Sequence, residues 1–285
     1  MEQAKDFFDE SKDLHELLNA EGAACLSTTT LFKNWTIEDV IGHLYLFNVG
    51  AVETLKGGDH YENFYKPIND ELIKGKSLVQ AQVPWLDGVT GQRLIDDWWK
   101  SVEDVFDGYR DADPKKRVKW AGPEMSARSK ITARHMETWA HGQEVFDALG
   151  KDREEKDRIK NIVHMGVIAY GWTFVNRKLA IPEPTPYLIL NAPSGEVWQW
   201  NDKESSSKIE GTAVEFAQVV TQVRNFADTK LSITGEPAIE WMKYAQCFAG
   251  PPEDPPAKGT RYKVGNKSYI VITVEPVVFR ASSES

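Results

Sequence analysis

Residues 35–44, WTIEDVIGHL, and residues 133–150, ARHMETWAHGQEVFDALG, are the stretches that decide how this chain folds. In the first, Thr36 precedes Asp39 by three residues, which is the spacing of a helix-capping box. In the second, apolar residues continue at helical spacing until Gly150 ends the pattern. Each stretch therefore predicts one long amphipathic helix.

The rest of the first 180 residues also reads as helical. Ser126 can cap the helix that contains residues 133–150. Trp35 can form a hydrophobic staple with the first turn of the helix that begins after Thr36. The connection at residues 59–89 contains Pro67 and Pro84, and it predicts a long connection with one short helix. Further long helices are expected at residues 3–24, 92–110 and 155–178. Four or five such helices predict an antiparallel four-helix bundle.

The pattern changes at residues 182–186, where Pro, Glu, Pro, Thr and Pro mark a domain boundary. Beyond it the sequence predicts strands at 187–191, 196–200, 207–210 and 231–234, helices at 212–226 and 237–248, and a hairpin of 262–264 with 269–274. We therefore expect a helical bundle over residues 1–182. A smaller α+β domain with a hairpin tail is expected over residues 183–285.

Composition limits the kind of partner. The 285 residues carry a net charge of −9, so a nucleic-acid or membrane-surface role is not expected. The charge by itself indicates no particular partner. The two cysteines, Cys25 and Cys247, stand far apart and predict free thiols in a cytoplasmic protein without a signal peptide. The ten tryptophans either fill the core or line an aromatic cavity.

Three residues of the two deciding stretches suggest a metal site. Glu137 and His141 lie four residues apart on one helical face, where they can hold one metal ion or share an ordinary hydrogen bond. His43 interrupts an apolar helix face and is either a third ligand or a core histidine. Two histidines and one carboxylate leave coordination positions open. This set suits catalytic zinc, with iron or nickel as alternatives.

Glu144 follows His141 by three residues, so it can orient that ligand, act as a general base, or be a solvated carboxylate. The remaining histidines have other expected roles. His135 lies about 200° around the helix from Glu137 and is not expected to be a ligand. His164 is read as a reserve ligand or a core histidine, and His15 and His60 as surface residues.

The two histidine motifs resemble those of the DinB/YfiT-like metal-binding bundles, in the branch of the mycothiol-dependent maleylpyruvate isomerases. The likeness extends over about residues 5–252 and includes GPEMSARS at 122–129 and EWMKYAQCFAGPP at 240–252. It implies that His43, Glu137 and His141 bind a divalent metal. It also implies a C-terminal domain similar to sterol-carrier-like domains. Glu144 departs from the Asp common in relatives, and the tail Lys258–Ser285 lies beyond their usual end.

The resemblance implies a thiol-dependent isomerase or S-transferase that acts on a small-molecule substrate and uses mycothiol or glutathione as cosubstrate. Relatives employ a C-terminal arginine for anionic groups, and Arg224 is the candidate here, unless it is only a cation at a helix end. Arg128 and Arg134 are alternatives for that role. Two other functions stay open. One is a metal-dependent lyase, hydrolase or cyclase acting on an aromatic or natural-product metabolite, and the other is a non-catalytic metal-binding or carrier protein.

Overall fold

The computed structural model describes residues 1–265. The helices within them are α1 Glu2–Glu21, α2 Ile37–Lys56, α3 His60–Ile73, α4 Leu78–Leu86, α5 Gly91–Arg110, α6 Ala127–Ala148, α7 Lys160–Ile168, α8 Tyr170–Asn176, α9 Ala213–Val220 and α10 Glu236–Tyr244. The strands are β1 Arg117–Val118, β2 Met125–Ser126, β3 Tyr187–Asn191, β4 Val197–Trp200, β5 Lys208–Thr212 and β6 Ser232–Thr234. None of these helices is long and apolar enough to cross a membrane.

Local capping fixes the starts of the two helices that matter most. At α2 the backbone amide of Asp39 donates to Thr36 Oγ1 at 3.1 Å, and the amide of Thr36 donates to Asp39 Oδ2 at 2.9 Å. At α6 the amide of Ser129 donates to Ser126 Oγ at 3.1 Å. Both predicted caps are confirmed, because each depends only on residues within one turn.

Helices α1, α2, α5 and α6 form a four-helix bundle. The N-terminal amine of Met1 donates to the carbonyl of Arg110, so α1 begins where α5 ends and the two are antiparallel. Helix α5 instead runs parallel to α2, since Asn48 Nδ2 donates to Ser101 Oγ at 3.1 Å and Tyr109 donates to the Ala51 carbonyl at 3.0 Å. The long crossover between α2 and α5 returns the chain to the end of the bundle where α2 began.

That crossover contains two helices, α3 and α4, where the sequence suggested one. Prolines 67 and 84 lie inside these helices. A second capping box, in which Ser77 and Gln80 exchange hydrogen bonds, starts α4. Both helices pack closely on α2: a Cβ at Gly50 would lie 2.9 Å from Phe64, and one at Gly42 would lie 3.0 Å from Leu86. Tertiary packing therefore outweighs the helix-breaking tendency of the prolines.

The single helix predicted at residues 155–178 is wrong. A short 3-10 turn, Asp157–Ile159, leads into α7, and α7 is separated from α8 at Ala169. Gly166 and Gly171 flank this interruption, and glycine is a poor helix former. Gly166 packs directly against Phe216 and Val220 of α9, so α7 is positioned by contacts with the C-terminal part of the chain.

The C-terminal sheet has the strand order β4-β3-β5-β6. Its central strands β3 and β5 are parallel, with Ile189 opposite Glu210, while β4 and β6 pair antiparallel at the edges. The predicted strands are confirmed with small shifts at their ends. Helix α9 stops at Val220 rather than 226, because Gln222 adopts a positive φ of 60°. Helix α10 likewise stops at Tyr244 rather than 248.

The first strand of the predicted terminal hairpin is not observed. Residues 262–264 form no strand and instead run back along the end of α6, where the Val264 amide donates to the Asp147 carbonyl at 2.9 Å. The second predicted strand, 269–274, lies outside the described residues.

Helix α6 belongs to both hydrophobic cores of the molecule. Its Ala127, Ile131 and Val145 pack in the core of the bundle. Met136, Trp139 and Ala140 pack instead with α7, α9, α10 and the sheet. Helix α6, which carries two of the predicted ligands, therefore packs against both the bundle and the C-terminal α+β region.

Candidate metal centre

Two neighbouring antiparallel helices bring the three predicted ligands together. His43 on α2 places Nε2 3.1 Å from Glu137 Oε2, and His141, one turn beyond Glu137 on α6, places Nε2 3.5 Å from the same oxygen. One donor atom from each residue lies within 4.8 Å of the other two. Within residues 1–265, no other group of three or more His, Cys, Asp or Glu side chains is arranged so that it could hold a metal ion.

The donor set fits a divalent metal. Ligands at about 2.05 Å from a tetrahedral ion lie about 3.3 Å apart, which is close to the two distances at Glu137 Oε2. Imidazole nitrogens and a carboxylate are ligands that zinc and iron accept, and three protein ligands leave coordination positions open. The side chain of Glu137 is 28% exposed, so the cluster is accessible from outside.

Glu144 fixes the orientation of His141. His141 Nδ1 lies 2.9 Å from Glu144 Oε2, which leaves Nε2 directed at Glu137. A carboxylate on the far nitrogen of a histidine is the usual support for a metal ligand. Glu144 is 7% exposed, so it is not the solvated carboxylate that the sequence left open.

His43 is oriented by packing instead. Its ring lies 5.6 Å from the ring of Trp35 and 4.9 Å from that of Phe47. Its Nδ1 is buried and has no hydrogen-bond partner in the described part of the chain. The aromatic contacts therefore hold this imidazole on the side away from Glu137, and the contact between Nε2 and Glu137 holds the other side.

Phe32 and Trp35 are site residues that sequence reasoning missed. The segment before α2 is closed by a bridge between Thr29 and Thr36, and it lays both rings over the cluster. Trp35 stacks on His141 at 6.0 Å, and Phe32 meets the same ring edge-on at 5.1 Å. In the sequence, the position of Trp35 beside the Thr36 cap indicates a hydrophobic staple at the start of α2, but it does not indicate a contact with His141.

Burial and charge set the protonation of the cluster. Burial lowers the pKa of His43 to about 4, although Glu137 opposes that shift. Burial also disfavours a charge on His141, but Glu144 and Glu137 outweigh it and raise the pKa to about 9. For Glu137, burial would raise the pKa, yet its hydrogen bonds with His141 and His43 hold it well below the ordinary value. A carboxylate and one neutral imidazole therefore stand ready as ligands at neutral pH.

A narrow cleft lies beside Glu144, between α6 and the C-terminal region. Arg224, in the loop after α9, pairs with Asp147 at 2.6 Å and lines this cleft. Arg261 comes from the tail, and its Nη1 lies 3.3 Å from Glu144 Oε1. The sequence offered no sign of Arg261, because 117 residues separate it from its partner.

The other candidates lie away from the cluster. His164 is exposed, so neither the reserve-ligand nor the core interpretation is right, because α7 turns that face to solvent. His15 is half-buried and stacks on Trp99 at 4.3 Å rather than lying free on the surface. His60 and Arg128 are exposed. His135 is fully buried, with Nε2 3.8 Å from Glu10.

Comparison with known proteins gives three findings. The family model of the mycothiol maleylpyruvate isomerase N-terminal domain matches residues 7–146. The uncharacterized protein Rv0036c of Mycobacterium tuberculosis (strain ATCC 25618 / H37Rv) is 32% identical over 244 residues, covering 85% of this chain and 93% of the relative. Uncharacterized protein MT0041 of strain CDC 1551 / Oshkosh matches to the same extent.

The crystal structure of the mycothiol-dependent maleylpyruvate isomerase superposes with a TM-score of 0.53 at 12% identity, covering 83% of this chain and 94% of that one. A histidine-to-alanine mutant of that enzyme gives a TM-score of 0.54. At 12% sequence identity, this similarity shows a shared fold and no more. It confirms the expected fold class, a helical N-terminal bundle followed by a smaller α+β region.

Proposed function

This chain belongs to the family of the mycothiol maleylpyruvate isomerase N-terminal domain, and we propose that it is a thiol-dependent, metal-assisted isomerase of a small molecule. The observation that carries the proposal is the convergence of His43, Glu137 and His141, whose donor atoms lie within 4.8 Å of one another. An accessible cluster of this kind in a bundle of this family suits catalysis better than a closed structural site.

The three side chains would hold a divalent ion, and we propose zinc, with iron and nickel as the alternatives. Such an ion lowers the pKa of a thiol, so that the thiol reacts as a thiolate at neutral pH. We propose mycothiol as the thiol, with glutathione as the alternative.

The proposed reaction is addition followed by elimination. The thiolate sulfur adds to one carbon of a double bond activated by a conjugated carbonyl, and the resulting single bond rotates. The sulfur then leaves with the electron pair of the carbon–sulfur bond, and the double bond re-forms in the other geometry. The thiolate is regenerated, so the reaction needs no oxidant or reductant.

The protein's own residues prepare this site. Both oxygens of Glu144 are engaged, one by His141 and one by Arg261, so we assign Glu144 as a positioning residue rather than a base. The rings of Phe32 and Trp35 pack against the ring of His141 and help to fix its position. A guanidinium suits carboxylates, so Arg224 can exchange Asp147 for an anionic group of substrate or thiol.

The test is isomerisation of maleylpyruvate by the zinc-loaded protein, followed by chromatography of its cis and trans forms. We expect turnover with mycothiol or glutathione and none without a thiol, and we expect His141→Ala to abolish it. Absence of isomerisation with either thiol would refute the proposal. Turnover that does not need a thiol would refute it in favour of a metal-dependent lyase or hydrolase.

We also propose that the protein works in the cytoplasm. Cys25 and Cys247 are both free and buried, as expected where thiols stay reduced. Measuring the free thiols of protein isolated under alkylating conditions tests this: two free thiols per chain are expected, and an oxidised pair would contradict it.

A further inference from the structure

The last described part of the chain returns to α6 after the C-terminal α+β region. The amide of Gly259 donates to Asp228 Oδ2 at 2.7 Å, and the amide of Val264 donates to the carbonyl of Asp147 at 2.9 Å. Asp228 follows α9 in the chain, whereas Asp147 lies in the last turn of α6. The segment 259–264 is thus attached at both ends, and Arg261 lies between the two attachment points.

The side chain of Arg261 contacts two parts of the N-terminal region. Its Nη1 lies 3.3 Å from Glu144 Oε1, and its guanidinium carbon lies 5.0 Å from the centre of the Phe32 ring. A guanidinium interacts favourably with a carboxylate and with the face of an aromatic ring. The side chain of Arg261 is only 13% exposed. This guanidinium is therefore held between α6 and the segment that precedes α2.

Glu144 and Phe32 are also the groups that support His141. The second oxygen of Glu144, Oε2, lies 2.9 Å from His141 Nδ1, and the Phe32 ring meets the imidazole edge-on at 5.1 Å. The two oxygens of a carboxylate belong to one planar group. A guanidinium that holds Oε1 therefore also restricts where Oε2 lies relative to the imidazole.

Burial makes this contact important for Glu144. The residue is 7% exposed, and a buried charge that loses its charged partner is poorly compensated by water. Without the guanidinium of Arg261, a rotation of Glu144 toward solvent would recover hydration at the expense of the contact with His141. The pair with Arg261 thus opposes that rotation.

We propose that Arg261 is a positioning residue of the metal centre, which acts through Glu144 to keep His141 Nε2 directed at the metal. The inference rests on the proposed metal-dependent function and adds a further part of the chain to its site. Arg261 lies outside residues 7–146, which match the family model. The support therefore comes from outside the domain that carries the three proposed ligands.

The zinc affinity of the full-length protein, measured by competition with a chelator, tests the assignment. Arg261→Met should weaken zinc binding about tenfold, because it removes a group that supports a ligand. Arg261→Lys should bind zinc within about threefold of wild type, since lysine keeps the charge but not the planar fork. Lys263→Met is the matched control: Lys263 pairs with Asp152, which is 90% exposed, so zinc affinity should be unchanged. Wild-type affinity in Arg261→Met would overturn the proposal.

A double-mutant cycle shows whether Arg261 acts through Glu144. Glu144→Gln removes the charge to which the guanidinium is bound. Adding Arg261→Met to that variant should therefore weaken zinc binding by no more than about twofold. Fully additive losses would overturn the proposal, because Arg261 would then affect the metal by another route.

Cobalt(II) in place of zinc separates positioning from general stabilisation. The visible absorption of protein-bound Co²⁺ depends on the arrangement of its ligands. Arg261→Met should change these bands, whereas Lys263→Met should leave them as in the wild type. A lower thermal midpoint of Arg261→Met with wild-type zinc affinity and cobalt spectrum would mean that Arg261 only attaches the tail, and it would overturn the proposal.

This inference and the proposed function fail in distinguishable ways. If no thiol supports isomerisation but zinc affinity depends on Arg261, the isomerase function falls and the positioning role stands. If the wild type isomerises maleylpyruvate with a thiol but Arg261→Met equals it in zinc affinity and cobalt spectrum, the positioning role falls and the isomerase function stands.

Discussion

His141 and Glu144, one helical turn apart on α6, are joined by a contact of 2.9 Å between Nδ1 and Oε2. Because this contact occupies one ring nitrogen, the other is left to face Glu137. Helix α6 thus supplies two of the three proposed ligands, Glu137 and His141, together with the carboxylate that orients His141. Helix α2 supplies the third, His43.

Replacement of His141 by alanine should abolish stoichiometric metal in the purified protein. Two ligands, His43 and Glu137, would remain, and they cannot complete the three-ligand set of a catalytic site. Elemental analysis of untagged protein checks this. His164→Ala, a change on the exposed face of α7, should keep its full metal content. Metal retained at one equivalent in His141→Ala would refute the ligand assignment.

Glu144→Gln should keep one metal per chain at saturating zinc but bind it about 10- to 100-fold more weakly and slow turnover. Glutamine can still accept the Nδ1–H of His141, but it lacks the charge that favours that orientation and pairs with Arg261. Competition with a zinc chelator measures the affinity. Unchanged affinity and rate would show that Glu144 has no part in the site.

Glu10 should make the stability of the protein depend on pH. Burial opposes ionisation of this carboxyl, but His135, Arg153 and Arg158 outweigh burial and lower its pKa from 4.5 to about 2. A lowered pKa means that the stabilisation is complete above pH 4.5 and is lost as the pH falls toward 2. Glu10→Gln should therefore reduce the free energy of unfolding by about 3 kcal/mol near neutral pH.

The difference between wild type and Glu10→Gln should shrink steadily on acidification, as urea unfolding near pH 7 and near pH 3 can show. Glu16→Gln on the same helix is the control, since the carboxylate of Glu16 is 61% exposed and pairs with the exposed Lys12. A Glu10→Gln difference that does not change with pH would contradict the assigned pKa.

Gly166→Ala should destabilise the protein by about 1–3 kcal/mol, because the new methyl group overpacks the contact between α7 and α9. Its Cβ would lie 2.7 Å from Val220 and 3.1 Å from Phe216. Gly171→Ala is the matched control, since its nearest neighbour, Ile181, would lie 3.5 Å away. There the higher helix propensity of alanine should leave stability equal or slightly greater. Equal thermal midpoints for both variants would contradict the packing argument.

The sequence predicted best where the determining interactions are local. The start of α2 at Thr36 and that of α6 at Ser126 follow from hydrogen bonds within one turn, and both are observed. The sequence predicted less well where tertiary packing determines how many helices form and where they end. The two helices of the crossover depend on close contacts at Gly42 and Gly50, and the interruption at Ala169 accompanies the packing of Gly166 against α9.

By itself, the sequence determined the capped starts of α2 and α6 and the placement of Glu137, His141 and Glu144 on one side of α6, because these depend on residues three or four positions apart. Only the tertiary structure decided what faces them. His43 is 94 positions from Glu137 in the sequence, and Arg261 is 117 positions from Glu144. Burial and charge compensation are sums over residues distant in sequence, so no local pattern can specify them.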